Sequence, residues 1–249
     1  MIENSIFAKN KQGKQALVFS MQYPVTSAVE LAARAGFDAI HLDGEHGAFN
    51  PVAVDDIVAA AHAHGMSVTA RVPNINANEI NRWLDRGLQG IMGPHIENAT
   101  EAQALADACL FPPDGWRSWG GGRGTEHGDI EVIEGRYGGK LGFANFANAN
   151  MLVGGQIESK DAAARVDEIL AITGLAAIAW GPHDMAASLG HPGEPEHPEV
   201  LAIHDEVEAK VRASGKHLWS DYATTMDMKA VLIGQGREFT TAHRDDAFV

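Results

Sequence analysis

The chain has 249 residues, 45% of them hydrophobic, and a formal net charge of −14, which leaves room for a full core and argues against a nucleic-acid partner needing a basic face. Its one cysteine, Cys109, excludes a disulfide framework within the chain and points to a reducing cytoplasm. Met1 to Gln15 shows no apolar signal segment, and no apolar run approaches the roughly 18–20 residues of a membrane span.

Short apolar runs alternate with amphipathic helical patterns. Ala16 to Phe19 reads as a first strand; Ser27 and Glu30 form a capping box that opens a helix through Ala35, stopped by Gly36. Ala39 to Leu42 is strand two. Pro51 opens a helix with Val54, Ile57, Val58 and Ala61 at helical spacing, and Gly65 ends it. Strand three is Ser67 to Arg71. Asn76 with Glu79 caps a helix presenting Ile80, Trp83 and Leu84, and Gly90 to Met92 is strand four. Thr100 with Gln103 opens the next helix, with Ala102, Leu105, Ala106 and Cys109 on one face.

A long irregular segment is expected from Phe111 to about Ala147, then strand five at Met151 to Ile157, a helix at Asp161 to Ile172, and strand six at Ala176 to Trp180. The pattern closes with helix His197 to Ser214, strand Lys216 to Trp219, helix Thr225 to Ile233 and strand Glu238 to Thr241. Eight strands alternating with helices predict a parallel α/β fold, one (β/α)8 TIM barrel spanning the chain. Only Ala242 to Val249 would then follow strand eight, so a complete last helix is not expected.

Barrels of this kind gather catalytic groups at the C-terminal ends of their strands. Ionisable residues stand at five such ends: Asp43, Glu45 and His46; Arg71; His95; Glu158; and His183 with Asp184. Burying Asp43, Glu45 and His46 together costs several kcal/mol unless they are paired or hold a metal. Glu158 and Asp184, from neighbouring strands, suit a hard divalent cation, which would act as a Lewis acid on a 2-oxo acid; the bland alternative is two solvated rim carboxylates. Arg71 suits an enolate oxygen, or a salt bridge to Asp43 or Glu45. His46 is the natural proton-transfer group. His95, His127, His191, His62 and His64 read as solvated or structural. Trp119 to Gly124 reads as a mobile flap over the mouth, with Arg117 or Arg123 reaching a substrate's distal end.

These residues sit in motifs that occur together: Leu42-Asp43-Gly44-Glu45-His46-Gly47, Arg71-Val72-Pro73, Gln89-Gly90-Ile91-Met92, Phe111-Pro112-Pro113-Asp114-Gly115-Trp116-Arg117, Gln156-Ile157-Glu158-Ser159 and Gly181 through Gly190. In this order they resemble the 4-hydroxy-2-oxoheptanedioate aldolase family, the class II pyruvate aldolases of aromatic-acid catabolism. The resemblance implies a phosphoenolpyruvate/pyruvate-type barrel and a reversible, metal-dependent retro-aldol cleavage to pyruvate, or a related 2-oxo acid such as hydroxypyruvate, and an aldehyde. It implies Glu158 and Asp184 as ligands of Mg2+ or Mn2+, with Co2+ and Zn2+ next in line. It also implies His46 as base, Asp85 as the carboxylate paired with it, and Arg71 as transition-state stabiliser. Gln156 becomes a substrate contact, and the backbone N–H groups of His183 and Asp184 a carboxylate cradle. A homo-oligomer, in the family a hexamer, is implied as well.

The chain departs from the family pattern at His183, Gly93 and Trp219, the last of which would narrow the aldehyde side. Three rival readings stay open: an oxaloacetate decarboxylase or malyl-thioester lyase on the same barrel, a zinc hydrolase using His41, Asp43 and His46, and a catalytically inactive binding protein.

Overall fold

A computed structural model describes residues 1–244. Eight strands lie in one all-parallel sheet: β1 (Ala16–Met21), β2 (Ala39–Asp43), β3 (Ser67–Arg71), β4 (Gly90–Gly93), β5 (Leu152–Ile157), β6 (Ala177–Trp180), β7 (His217–Leu218) and β8 (Ala223–Asp227). β1 to β7 follow one another in sequence order, and β8 pairs with the free side of β1. That order dictates a curl. Seven inter-strand gaps of about 4.8 Å would put the edges of a flat sheet about 34 Å apart, yet only the four-residue helix Trp219–Tyr222 joins β7 to β8, and a five-step link reaches about 18 Å at most. The sheet therefore wraps into a (β/α)8-type barrel whose β7–β8 seam carries that helix in place of a hydrogen-bonded ladder.

The strand interiors read as the sequence predicts. Every residue of β4 and β5 is buried, as are Ile40, Leu42, Val68 and Ala70, because crossover helices cover the outer face of a parallel sheet. Helix Pro51–Ala63 buries Val54, Ile57, Val58 and Ala61, and helix Ala77–Leu84 buries Ile80, Trp83 and Leu84. Asn50 and Asn76 cap these helices through their side-chain oxygens.

Several expected boundaries are overturned. The eighth strand is not Glu238 to Thr241 but Ala223–Asp227, registered from Ala16↔Ala223 to Ser20↔Asp227. Residues expected as helix, turn and strand form one helix, Met228–His243. A complete last helix is thus present, with the tail 245–249 outside the described residues. The reasons are local. Thr224 and Thr225 are β-branched and favour extended backbone, and Asp227 accepts the Ala230 N–H at 2.7 Å, starting the helix two residues after them. Gly234 and Gly236 do not stop it. The segment expected to be irregular contains a 3-10 turn at Arg123–Gly128 and helices Ile130–Tyr137 and Lys140–Ala149. The helix expected at Asp161 to Ile172 breaks at Arg165 into two short pieces. Helices at Ser5–Asn10 and Pro182–Ser188 were not foreseen. Among the described residues no helix is long and apolar enough to cross a membrane.

One end of the barrel is plugged. Asn4, fully buried, donates its amide to Gln89 O (3.0 Å) and Asn150 O (2.9 Å), while its backbone N–H meets Asn150 Oδ1 (2.7 Å). These partners stand where β4 and β5 begin, so the opposite rim is the open one. Replacing Asn4 with Ala strands two carbonyls and a side-chain cap. The expected loss is ~2–3 kcal/mol in urea denaturation, with the mouth residues untouched.

Candidate active site

The open rim carries a connected set of charges. At the end of β3, Arg71 donates from Nε to Asp43 Oδ1 (3.1 Å) and from Nη2 to Asp43 Oδ2 (2.9 Å), a two-point grip across the β2–β3 ladder. Its remaining nitrogen, Nη1, lies 3.1 Å from Glu45 Oε2. Glu45 Oε1 is 3.1 Å from Nε2 of His95, whose Nδ1 is 2.9 Å from Glu158 Oε1. The His95 backbone N–H donates to that same oxygen (2.7 Å), and Gln156 Nε2 donates to Glu158 Oε2 (2.6 Å). The chain of contacts therefore runs from β2 through β3 and the β4 loop to β5. Sequence reasoning missed the role of His95. A left-handed φ of 49° at a non-glycine residue is what brings its ring and its N–H onto one oxygen, and no residue pattern announces that.

Each predicted site residue has a place. Glu158 is almost fully buried, 2% exposed. Burial raises its pKa, with help from the Asp184 and Glu45 charges and against the His95 N–H. Burial also opposes the charge on Asp43, but Arg71 and the His46 N–H outweigh it and hold the carboxyl below its usual range. Asp184 lies in the first turn of helix Pro182–Ser188, exposed beside His183 and close enough to Glu158 to be felt electrostatically. Gly181 makes room for this pair: a Cβ there would fall 2.4 Å from Glu158 Oε2 and 2.8 Å from Gln156 Nε2. Gln156 lines a cavity of about 620 Å³ and keeps its Oε1 buried without a partner.

His46 is exposed, its Nε2 3.7 Å from Glu45 Oε2. Among the described residues no hydrogen bond or ion pair joins it to Asp85. Asp85 caps the C-terminal end of helix Ala77–Leu84. Helices in this fold run back against the strands, so that end faces the plugged side, away from His46. The carboxylate that pairs with His46 within this chain is Glu45.

The glycine-rich stretch is no flap over the mouth. Gly124 N–H donates to Asp85 O (2.9 Å), and a Cβ at Gly124 would lie 1.9 Å from Leu84 O. Arg117 is buried, stacks on the Phe111 ring at 4.5 Å, and donates to Leu84 O and Gly124 O. Arg123 faces Asp55 at 3.6 Å. The stretch clamps the end of a helix, and neither arginine reaches the mouth. Burial raises the Asp85 pKa, against the pull of Arg117 and Arg86.

Trp219 does stand in the cavity, its ring 6.0 Å from that of His41. It also fills the space over Gly154, where a Cβ would meet it at 2.6 Å. That strand glycine therefore makes room for a side chain of the protein itself. His41 bonds Thr69 Oγ1 at 2.8 Å through Nδ1. Asp43 is held by Arg71 and His46 points outward, so the trio proposed for zinc does not converge. Elsewhere on the surface, His191 stacks on His197 at 3.6 Å and pairs with Glu199.

Burial lowers the His41 pKa from 6.5 to about 4, Asp43 opposing and Arg71 assisting. Between these values the unfolded chain binds a proton that the folded one refuses, so stability falls as pH drops from about 6.5 to about 4. Denaturant midpoints measured across that range are expected to decline less steeply in His41→Gln than in the unsubstituted protein.

The comparisons agree with this architecture. The model of the HpcH/HpaI aldolase/citrate lyase family matches residues 17–245. Over 214 residues the chain is 31% identical to a pyruvate aldolase of Rhizobium etli, covering 86% of this chain and 80% of that one. It is 30% identical over 215 residues to a 4-hydroxy-2-oxo-heptane-1,7-dioate aldolase of Escherichia coli, covering 86% and 79%. Among solved structures, an HpcH/HpaI aldolase from Desulfitobacterium hafniense superposes with a TM-score of 0.84 at 24% identity, over 97% of both chains.

Proposed function

The chain belongs to the HpcH/HpaI aldolase/citrate lyase family, and from that premise and the chemistry of the mouth we infer a carbon–carbon lyase that cleaves a 4-hydroxy-2-oxo acid reversibly to pyruvate, or a related 2-oxo acid such as hydroxypyruvate, and an aldehyde. One observation carries the reading. Four carboxylates, Asp43, Glu45, Glu158 and Asp184, share a rim with one guanidinium, Arg71. Such an excess of anion is costly unless a cation joins it.

The donors fit a divalent metal. Glu158 and Asp184 offer oxygens from adjacent strand ends, Gly181 keeps the approach clear, and the orphaned Gln156 Oε1 awaits a donor. Glu158 and Asp184 would hold the ion, Mg2+ or Mn2+ in the first instance. The bound ion supplies Lewis acidity toward the 2-oxo acid.

The remaining work belongs to the chain. Arg71, fixed at two points by Asp43, would stabilise the negative charge that grows on the keto oxygen as the C3–C4 bond breaks. His46, beside Glu45, takes the proton of the 4-hydroxyl directly or through a water, and the electron pair of the C3–C4 bond passes into the enolate. Gln156 reaches the oxo acid from β5. First-turn N–H groups of a helix lack intrahelical partners, so those of His183 and Asp184 are suited to the acid's carboxylate. Trp180 and Trp219 line the same cavity and would bound the aldehyde side. The phosphoenolpyruvate/pyruvate type of barrel, a homo-oligomer and a cytoplasmic setting, with Cys109 buried as a free thiol, belong to the same reading.

Pyruvate incubated in D2O with Mg2+ or Mn2+ is expected to exchange its C3 protons, and pyruvate with aldehydes to give 4-hydroxy-2-oxo acids. No exchange would favour an inactive binding protein, and turnover of oxaloacetate or a malyl thioester alone would favour the sister chemistries. Glu158→Ala and Asp184→Ala are expected to abolish metal-dependent turnover. Arg71→Ala is expected to lower kcat by about 10²-fold or more, the usual cost of losing a preorganised charge stabiliser.

A further inference from the structure

We propose that Gln22, locked in place by Asp227, determines specificity on the aldehyde side, and that the aldehyde it selects is uncharged and carries a hydroxyl group. The inference rests on the reading of the chain as a pyruvate-forming lyase and names the class of its second substrate.

The placement follows from the ring of strands. β1 and β5 are four strands apart in a ring of eight, so the end of β1 faces the wall where Gln156 and Glu158 stand. Along β1, Ala16, Val18 and Ser20 are buried while Leu17 is exposed, and Gln22 continues that inward row. Gln22 and Asp227 line the same cavity of about 620 Å³ as Gln156 and Arg71. An oxo acid held at β5 and β6 leaves this opposite wall to the aldehyde portion.

The hydrogen bonds fix what the wall accepts. Gln22 is 8% exposed; its backbone carbonyl accepts the Ala48 N–H at 2.9 Å, and its Nε2 donates to Asp227 Oδ2. Asp227 is held in turn at its other oxygen, which accepts the Ala230 N–H at 2.7 Å. The amide of Gln22 cannot turn over, because its oxygen would then meet a carboxylate. The end left to a ligand is Oε1, buried and without a partner. An amide oxygen so placed takes a hydroxyl donor, and a plain alkyl chain leaves it unsatisfied. Charge decides the rest. Among the described residues no lysine lines the cavity, and its one guanidinium, Arg71, is already engaged by Asp43 and Glu45. His204 faces Asp205 at 3.5 Å, and burial keeps His41 uncharged at neutral pH. A carboxylate on the aldehyde would meet Asp227 with no free cation to offset it.

The test compares aldehydes. The full-length protein is given pyruvate, Mn2+ and one of three acceptors: racemic glyceraldehyde, propanal (the same carbon chain without hydroxyls) or succinic semialdehyde, which carries a carboxylate. For the unsubstituted protein, kcat/KM with glyceraldehyde is expected to exceed each of the others by at least about tenfold. In Gln22→Met, which keeps the length and removes the acceptor, the ratio of glyceraldehyde to propanal is expected to fall by at least about tenfold. Such a ratio does not depend on how much of a variant folds. In Asp227→Asn, whose Oδ1 can still cap helix Met228–His243, the Gln22 amide is free to turn its N–H inward. The ratio of succinic semialdehyde to propanal is then expected to rise by at least about tenfold. A merely structural pair would lower all three substrates together and leave both ratios where they were. That result, or an unsubstituted protein that prefers propanal or succinic semialdehyde, would overturn the inference, while C3 proton exchange of pyruvate would leave the lyase reading standing. Neither exchange nor aldol product in the unsubstituted protein would overturn that reading and the inference with it.

Discussion

The rim of this barrel is governed by the cost of like charges. Asp43, Glu45 and Glu158 come from the ends of two strands, and Arg71 and the His95 ring bridge them. A guanidinium with three nitrogens committed at once cannot swing, so the bidentate pair with Asp43 fixes the direction in which the third edge points. Removing Arg71 would leave Asp43 and Glu45 without the cation they share, the costly case for buried ion pairs. The same arrangement that makes the rim tolerable thereby aims Arg71.

The scaffold brings these groups together by counting. Asp43 pairs with Arg71 because β2 and β3 align Ala39 with Ser67. Ile157 pairs with Trp180, setting the residues that follow β5 and β6 side by side. A parallel sheet places every strand's last residue at the same rim, and the curl, enforced by the four-residue link between β7 and β8, makes that rim a mouth. Distant stretches of sequence therefore meet without any one of them carrying a recognisable site alone.

What the residues disclosed in advance follows from how local the cause is. β2 to β6 and the helices that follow β2, β3 and β4 were legible because burial on both faces leaves largely apolar runs, and Asn76 or Pro51 marks a helix start. The last strand was not legible. Thr224 and Thr225 are too short a run to outweigh the helix-like spacing that follows, and only pairing with β1 makes them a strand. Glu158, Asp184 and Arg71 could be placed at the mouth because strand ends can be counted. The Gly120 to Gly124 stretch misled, since glycines that serve close packing against Leu84 and Asp85 have the same composition as glycines that serve motion. Asp85 was assigned by resemblance alone, and within this chain its place at a helix's end keeps it from His46.

His95 shows why a site can be denser than its motif. A histidine after Pro94 in a loop carries no signal of its own, and most such residues are solvated. Its role arises from a backbone turn that is unfavourable in isolation and is offset by two hydrogen bonds to β5. One of them ends on a carboxylate whose charge burial disfavours. Strain, burial and charge are each unfavourable here, yet they are mutually relieved: the turn satisfies Glu158, Glu158 anchors the turn, and Glu45 holds the far side of the ring. An arrangement in which three separate costs cancel only in one geometry is specific to that geometry. This is why the β4 loop, rather than the more conspicuous glycine-rich segment, is the part of the connecting structure that bears on the chemistry at the mouth.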